Sequence, residues 1–468
     1  MDALKGPLAV WAATGLSLLL VAAPHSVESQ AASVPIPFTD VRPILESVRT
    51  DLVPLDLRRA PAEIEAAWPG WVSQQDAAIR GRVAAGDEDS LIHLLLFGTS
   101  FTKAPRASER DLAALVKTPV EGLRALRARI DDFAAGIASP GTNERLQFAK
   151  TLVGAKGIDP ATPAGRQRLR EYLDERTAQV GGSVVSSSVL DPAAALSDKL
   201  TVFRDRGLSA DTSIFVDLGI ERALDAMKAA GLLKAGMVRR VGIIGPGLDF
   251  TDKLEGYDFY PEQTIQPFAL IDSLLRLDLA AATPLEVTAF DVSPRVLRHL
   301  ETARGRARAG MQYSLVFPRN TERAWSAELV EYWQQLGNWI GAEAKQVVPP
   351  DSAGRVSVRG VAVRPPVVLS VTPVNLNIVT ERVDVGAAGQ FDLIVATNIL
   401  LYYDVFEQSL AAVNIASMLR PGGFLLTNNR IFELPNSPLG GVGFTDSTYM
   451  SLPGIGDTGD RVIWYQKQ

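Results

Sequence analysis

The stretch VRRVGIIGPGLD, residues 238–249, decides how this chain is read. Its apolar run Val241–Ile244 meets Gly245-Pro246-Gly247 and then a long amphipathic segment, which is the order strand, glycine turn, helix. Glycine at such a turn tolerates positive φ and lets the backbone come close to a ligand. A second apolar run, EVTAF at 286–290, ends on Asp291, so an acid stands at the tip of the next strand. There its carboxylate can accept from both hydroxyls of a ribose, or simply cap the helix that follows. Gly247 and Asp291 are 44 positions apart (291 − 247), against roughly 20 in a dinucleotide fingerprint, and this disfavours a nicotinamide cofactor.

The segment FDLIVATNILLYYD, residues 391–404, gives a further strand with the polar tip Thr397-Asn398, then aromatics and a helical pattern over 405–419. LRPGG at 419–423 closes that helix and starts another strand. The succession GPG, strand-end Asp, FDLIVATN and LRPGG resembles the class I S-adenosylmethionine-dependent methyltransferases over residues 197–468. In motif order it is most similar to the chemotaxis-receptor carboxyl methyltransferases. They share a helical insertion between glycine turn and acid, the Asn375-Leu376-Asn377 segment, and an Asn followed by paired aromatics. The resemblance implies an α/β fold, a Rossmann-like seven-stranded mostly parallel sheet with helices on both faces. It also implies S-adenosylmethionine as cofactor and methyl transfer to an acceptor that the sequence does not name. Gly245, Gly247, Asp249, Asp291, Asn377 and Asn398 are the cofactor-side candidates it carries over. Tyr257, Tyr260, Tyr402 and Tyr403 are candidates for the substrate side, with Gln263 beside them. Two positions depart from the pattern: Ile243 stands where an acid is usual, and Asp249 where a third glycine is usual. These departures favour the alternative of a noncatalytic binding or scaffold protein that keeps the fold.

Composition narrows the chemistry. The 468 residues are 47% hydrophobic and 21% charged, enough for two or three domains and far from disorder. With no cysteine, thiolate nucleophiles and disulfides are excluded, and the three histidines, His25, His93 and His299, read as structural rather than as metal ligands. The net charge of −6 argues against nucleic acid as partner. The short basic run at Arg304, Arg306 and Arg308 reads as a solvated helix face or loop. Methyl transfer from a sulfonium needs binding, orientation and exclusion of water, so a chain poor in histidine and cysteine can carry it.

Taken in order, residues 1–31 have the form of a secretory signal: Lys5, an uncharged apolar stretch, and Ser29-Gln30-Ala31 for cleavage. An uncleaved N-terminal membrane anchor is the alternative. Either reading predicts an exported chain, although the methyl donor is made in the cytosol. Residues 34–180 predict a helical domain, with Trp68, Trp71, Phe97 and Phe101 in its core or along a groove. GGSVVSSS opens a linker over 181–196. Helical patterns from 197 to 234 would then lead into the α/β domain, residues 197–468. Past Asp291 an insertion of about 65 residues carries a helix over 322–343, with Trp325, Tyr332 and Trp339 along one face. Strands are expected at 355–371 and 374–379, and a closing antiparallel pair around PGIGDTGD, residues 453–460.

Overall fold

The expected α/β order is present, and its apolar strand runs become the centre of one sheet. A computed structural model describes residues 33–188, 207–249, 257–345, 347–431, 437–452 and 456–468. In chain order the strands are β1 (Ser33–Pro35), β2 (Asp211–Thr212), β3 (Arg240–Ile244), β4 (Leu248–Asp249), β5 (Glu286–Asp291), β6 (Tyr313–Asn320) and β7 (Gly341–Glu343). There follow β8 (Val356–Val363), β9 (Val371–Asn375), β10 (Glu381–Val383), β11 (Phe391–Val395), β12 (Leu419–Thr427), β13 (Leu439–Leu452) and β14 (Gly456–Lys467). The main sheet has seven strands in the order β9-β5-β3-β11-β12-β14-β13. Neighbours from β9 to β12 run parallel, and β14 lies antiparallel between β12 and β13. From β3 the chain winds outward through β5 to β9, then returns to β11 and winds the other way. The order therefore reverses between β3 and β11, and β3 is internal to the sheet as expected.

Period-two alternation assigns each strand residue a face. Val241, Ile243, Val287, Ala289, Leu393 and Val395 bury against the helices Ile214–Ala229, Gln266–Arg276 and Pro294–Arg308. Ile244, Phe290 and Ile394 point to the opposite face, under the helix Val405–Met418. That second face is completed by residues expected in a separate helical domain. β1 pairs antiparallel with β10, and Ile36, Val41, Ile64, Trp68, Trp71 and Ile79 join the same apolar cluster as Ile394, Leu425 and Tyr465. The helix Pro61–Phe97 is 37 residues long, about 55 Å at 1.5 Å per residue, and only its far end enters the cluster of the remaining helices. The described residues accordingly form one compact unit, with no boundary near residue 180 among them.

Other differences have local causes. Residues 181–188, read as the start of a linker, continue the helix Pro163–Ser188, because adding a residue to a formed helix costs far less than starting one. The rest of that linker, and the export segment 1–31, lie outside the described residues. The helix expected over 322–343 is confined to Ala327–Gln335. Gly337, with φ +90°, turns the chain there, so Trp325 and Tyr332 are buried while Trp339 is half exposed. The strand expected over 355–371 breaks at Pro365-Pro366, which opens the short helix Pro365–Leu369. Its first part, β8, joins β6 and β7 in a separate three-stranded sheet. Arg304 of the basic run is buried and donates to the carbonyls of Leu369 and Val371, while Arg306 and Arg308 are exposed. Among the described residues no helix is long and apolar enough to cross a membrane.

Trp68 shows what the N-terminal segment contributes. Its ring stacks on Trp71 at 4.9 Å between centroids, its Nε1 donates to the Ile36 carbonyl at 2.8 Å, and only 3% of it is exposed. Trp68→Ala is expected to lower the stability of the whole protein by roughly 3–5 kcal/mol. In a denaturant titration, loss of the sheet and of the helices should shift together; an unchanged midpoint would mean that the segment does not support the sheet.

Candidate functional site

In open α/β sheets a crevice forms at the carboxyl ends of the strands where the order reverses. Here that place lies beyond Ile244 of β3 and Val395 of β11. Gly245 and Gly247 follow β3 with φ of +70° and +63°. A Cβ at Gly245 would collide with the Ile399 side chain, and one at Gly247 with the Ala210 carbonyl oxygen. Both positions thus need glycine for conformation and for space. The crevice opens into a cavity lined from the ends of β3, β5 and β11 and from the segment before the sheet. Its floor is Gly245, Gly247, Asp291 and Thr397. Val292, Leu376 and Ile378 line the side toward β9, Ile399 and Tyr403 the side toward β11, and Ser209 and Asp211 come in from the segment before the sheet.

Asp291 is the dominant charge of the floor. It ends β5 with about nine-tenths of its surface covered, and burial pushes its carboxyl up to about 7. The backbone amides of Ser293, Gly247 and Val292 pull in the opposite direction, the first at 2.7 Å from Oδ1. The acid of the second strand therefore stands beside the glycine turn of the first, on the same cavity floor. Ser293 Oγ, buried at the same wall, has no hydrogen-bond partner in the protein. A buried carboxylate, an unmatched hydroxyl and an apolar wall suit a ligand that carries sugar hydroxyls and a flat apolar ring.

The residues expected at the site divide into two groups. Gly245, Gly247, Asp291, Asn398, Tyr402 and Tyr403 line the cavity. Asn398 sits at φ +58°, and its side-chain oxygen accepts from Asn428 at 2.6 Å, which joins the tips of β11 and β12. Arg82 donates to the Tyr402 carbonyl at 2.6 Å and lies over the Tyr403 ring at 5.9 Å, while burial pushes the Tyr403 hydroxyl well above its ordinary range. Asp249, Asn377, Tyr257 and Tyr260 do not line the cavity. Asp249 accepts from Tyr260 Oη at 3.1 Å and Gln263 Nε2 at 3.0 Å, and burial raises its carboxyl to about 6. Gln263 bonds Val316 of β6 through both ends of its amide. Tyr257 packs under Arg106 and Tyr260 under Arg145, so the aromatic loop fastens the helices to the sheet. Asn377 donates to Asp76 at 2.9 Å, away from the cavity, while its neighbours Leu376 and Ile378 face it.

Ser209, Asp211 and Thr212 also line the cavity, and no sequence signal marks them. They lie where a helix was expected, and the described part of that segment is extended. β2 runs parallel to β4, with Asp211 opposite Leu248 and Thr212 opposite Asp249. A two-residue strand is too short to show a period.

No family model and no curated protein matches the sequence. Among solved structures the chain is similar to TrmN from Thermus thermophilus, at 12% identity over 54% of this chain with a TM-score of 0.25, and it spans 52% of that protein. It is similar to the glycopeptide N-methyltransferase MtfA complexed with (S)-adenosyl-L-methionine, at 12% identity over 52% of this chain and 77% of that one, TM-score 0.21. It is likewise similar to the mitomycin 7-O-methyltransferase MmcR, at 10% identity over 86% of this chain and 99% of that one, TM-score 0.26. Likenesses this loose carry no weight for activity, which has to be argued from the site.

Burial of Asp291 makes a prediction about the ligand-free protein. A carboxyl raised to about 7 in the folded state, against ~3.9 unfolded, keeps its proton longer when folded, so stability falls as pH rises between those values. Asp291→Asn removes the buried charge at similar shape. Above pH 7 it should stabilise the ligand-free protein by on the order of 2 kcal/mol, with the gain fading toward pH 4. Chemical denaturation at pH 5 and pH 8 measures this, and a gain that does not grow with pH would contradict the assignment of the raised group.

Proposed function

We propose that this chain is an S-adenosylmethionine-dependent methyltransferase of class I whose acceptor remains to be identified. One observation carries the reading: Asp291 stands at the tip of β5, covered and beside the glycine turn, on the floor of a cavity at the reversal of the sheet order. Asp291 holds the two ribose hydroxyls, Val292, Leu376 and Ile378 flank the adenine, and the turn Gly245–Gly247 passes close to the rest of the donor. When bound, the donor supplies an activated methyl group and its own leaving group. The protein's work is to orient the donor, exclude water and hold the acceptor, with Asn398, Tyr402 and Tyr403 on the acceptor side. Acceptor choice in such folds resides in insertions and caps, here β6–β8 and the helices between residues 88 and 188. The resemblance to the chemotaxis-receptor enzymes extends this reading to a carboxyl acceptor, and no nucleic acid partner is proposed. Export by residues 1–31 is part of the same proposal and is checked by N-terminal sequencing of the protein from its native host.

A noncatalytic protein that keeps the fold is the second reading, and Ile243 favours it, because that position carries no acid for the donor. Calorimetry with S-adenosylhomocysteine addresses the first reading directly. Binding is expected for the full chain, and Asp291→Ala should weaken it by about one to two powers of ten. Because the ribose is held by the ionised carboxylate, affinity should be about tenfold lower at pH 6 than at pH 8, with proton release visible as buffer-dependent heat. Absence of binding at either pH would remove the methyltransferase reading.

A further inference from the structure

The donor has three chemically distinct parts: an adenine ring, a ribose, and an amino acid end with an ammonium group. The cavity's apolar side and Asp291 take the first two. The third needs an anion near the glycine turn, and β3 offers none. Ile243 is fully buried among the apolar residues of the first sheet face, pointing away from the crevice. Pro246 and Leu248 carry no charge, and Asp249 is turned to Tyr260 and Gln263.

We infer that Asp211, resting on the donor reading given above, is the residue that binds the ammonium group of the donor's amino acid end. The chain reaches the glycine turn a second time through β2, which lies outside the main sheet and pairs with β4 just past the turn. Leu248 N donates to the Ala210 carbonyl at 2.7 Å, and the Ala210 oxygen fills the space where a side chain at Gly247 would stand. This backbone contact sets Asp211 beside the turn and on the cavity wall. Its carboxylate is held in place: Ser90 Oγ, almost fully buried on the helix Pro61–Phe97, lies 3.0 Å from both oxygens, and Ser209 Oγ lies 3.3 Å from Oδ2. Asp87, on the same helix as Ser90, faces Arg295 at 3.9 Å, so the negative charge of this part of the wall is that of Asp211. A wall of this kind attracts a cation, and an ammonium placed against a fixed carboxylate forms a charge-assisted hydrogen bond. The acid missing from β3 is thus supplied from a different element, on the other side of the same turn.

Two ligands separate this role from a merely structural one. S-adenosylhomocysteine carries the ammonium, while 5′-methylthioadenosine keeps adenine and ribose and lacks the amino acid end. By calorimetry on the full chain, Asp211→Asn is expected to weaken S-adenosylhomocysteine about tenfold and to leave 5′-methylthioadenosine unchanged. Asp291→Ala should weaken both. Ser90→Ala, which loosens the carboxylate without removing it, should weaken only S-adenosylhomocysteine, by a few-fold, and serves if Asp211→Asn does not fold. Equal losses for both ligands, or none for either, would overturn the role of Asp211 while leaving the donor site standing. Failure of the unaltered protein to bind either ligand would overturn the donor reading and this inference with it.

Discussion

The ligand end of the sheet depends on how closely the backbone can pass at Gly245 and Gly247. With positive φ and no side chain, Gly247 lets the Ala210 carbonyl lie against it and accept from Leu248. Gly245 does the same for Ile399, which follows β11. The turn after β3 is therefore pressed from one side by the segment before the sheet and from the other by the neighbouring strand's loop. Asp291 lies beside the same turn, its Oδ1 accepting from the Ser293 amide. A methyl group at either glycine would push apart the segments that meet at this turn.

A second constraint is the amount of charge sealed between the sheet and the helices. Asp258 accepts from the Thr99 and Ser100 amides, Arg295 pairs with Glu262 at 2.5 Å, and buried Arg145 donates to the Tyr260 carbonyl beside Asp249. Removing one member of such a buried set leaves its partner's charge uncompensated, at a cost of about 3–5 kcal/mol. This explains why the described residues of a loop rich in Asp, Glu and Tyr form no part of the cavity wall. Its side chains are engaged by the helical segment, and that engagement makes the two parts one unit.

How much of this was legible in the sequence follows from range. The central strands could be read because burial on both faces makes them continuous apolar runs bounded by glycine or a strand-end acid. Asp291 could be read for the same reason: its place is set by the strand immediately before it. Asp249 and Asn377 follow the same strand tips along the chain, but their side-chain directions are set by Tyr260, Gln263 and Asp76. The domain boundary failed because Trp68 and Trp71 have the spacing of any helix core, and the spacing does not say that their partners include Phe406, more than three hundred residues on. Asp211 left no trace, since its element is two residues long and is defined wholly by β4.

The sharing of one sheet face between the chain's beginning and its end bears on how the protein is made. Gln75 and Glu407, hydrogen-bonded in the folded chain, are 332 positions apart, and Ile36 and Trp68 belong to the cluster that holds Leu439 and Tyr465. A ribosome adding roughly 5–20 residues per second releases those N-terminal apolar side chains tens of seconds before their partners exist. During that interval Trp68 and Trp71 are without their native cover on an incomplete chain. The fold thus places its greatest exposure to misassociation in the nascent protein, and its last apolar face closes only when the final hairpin has been delivered.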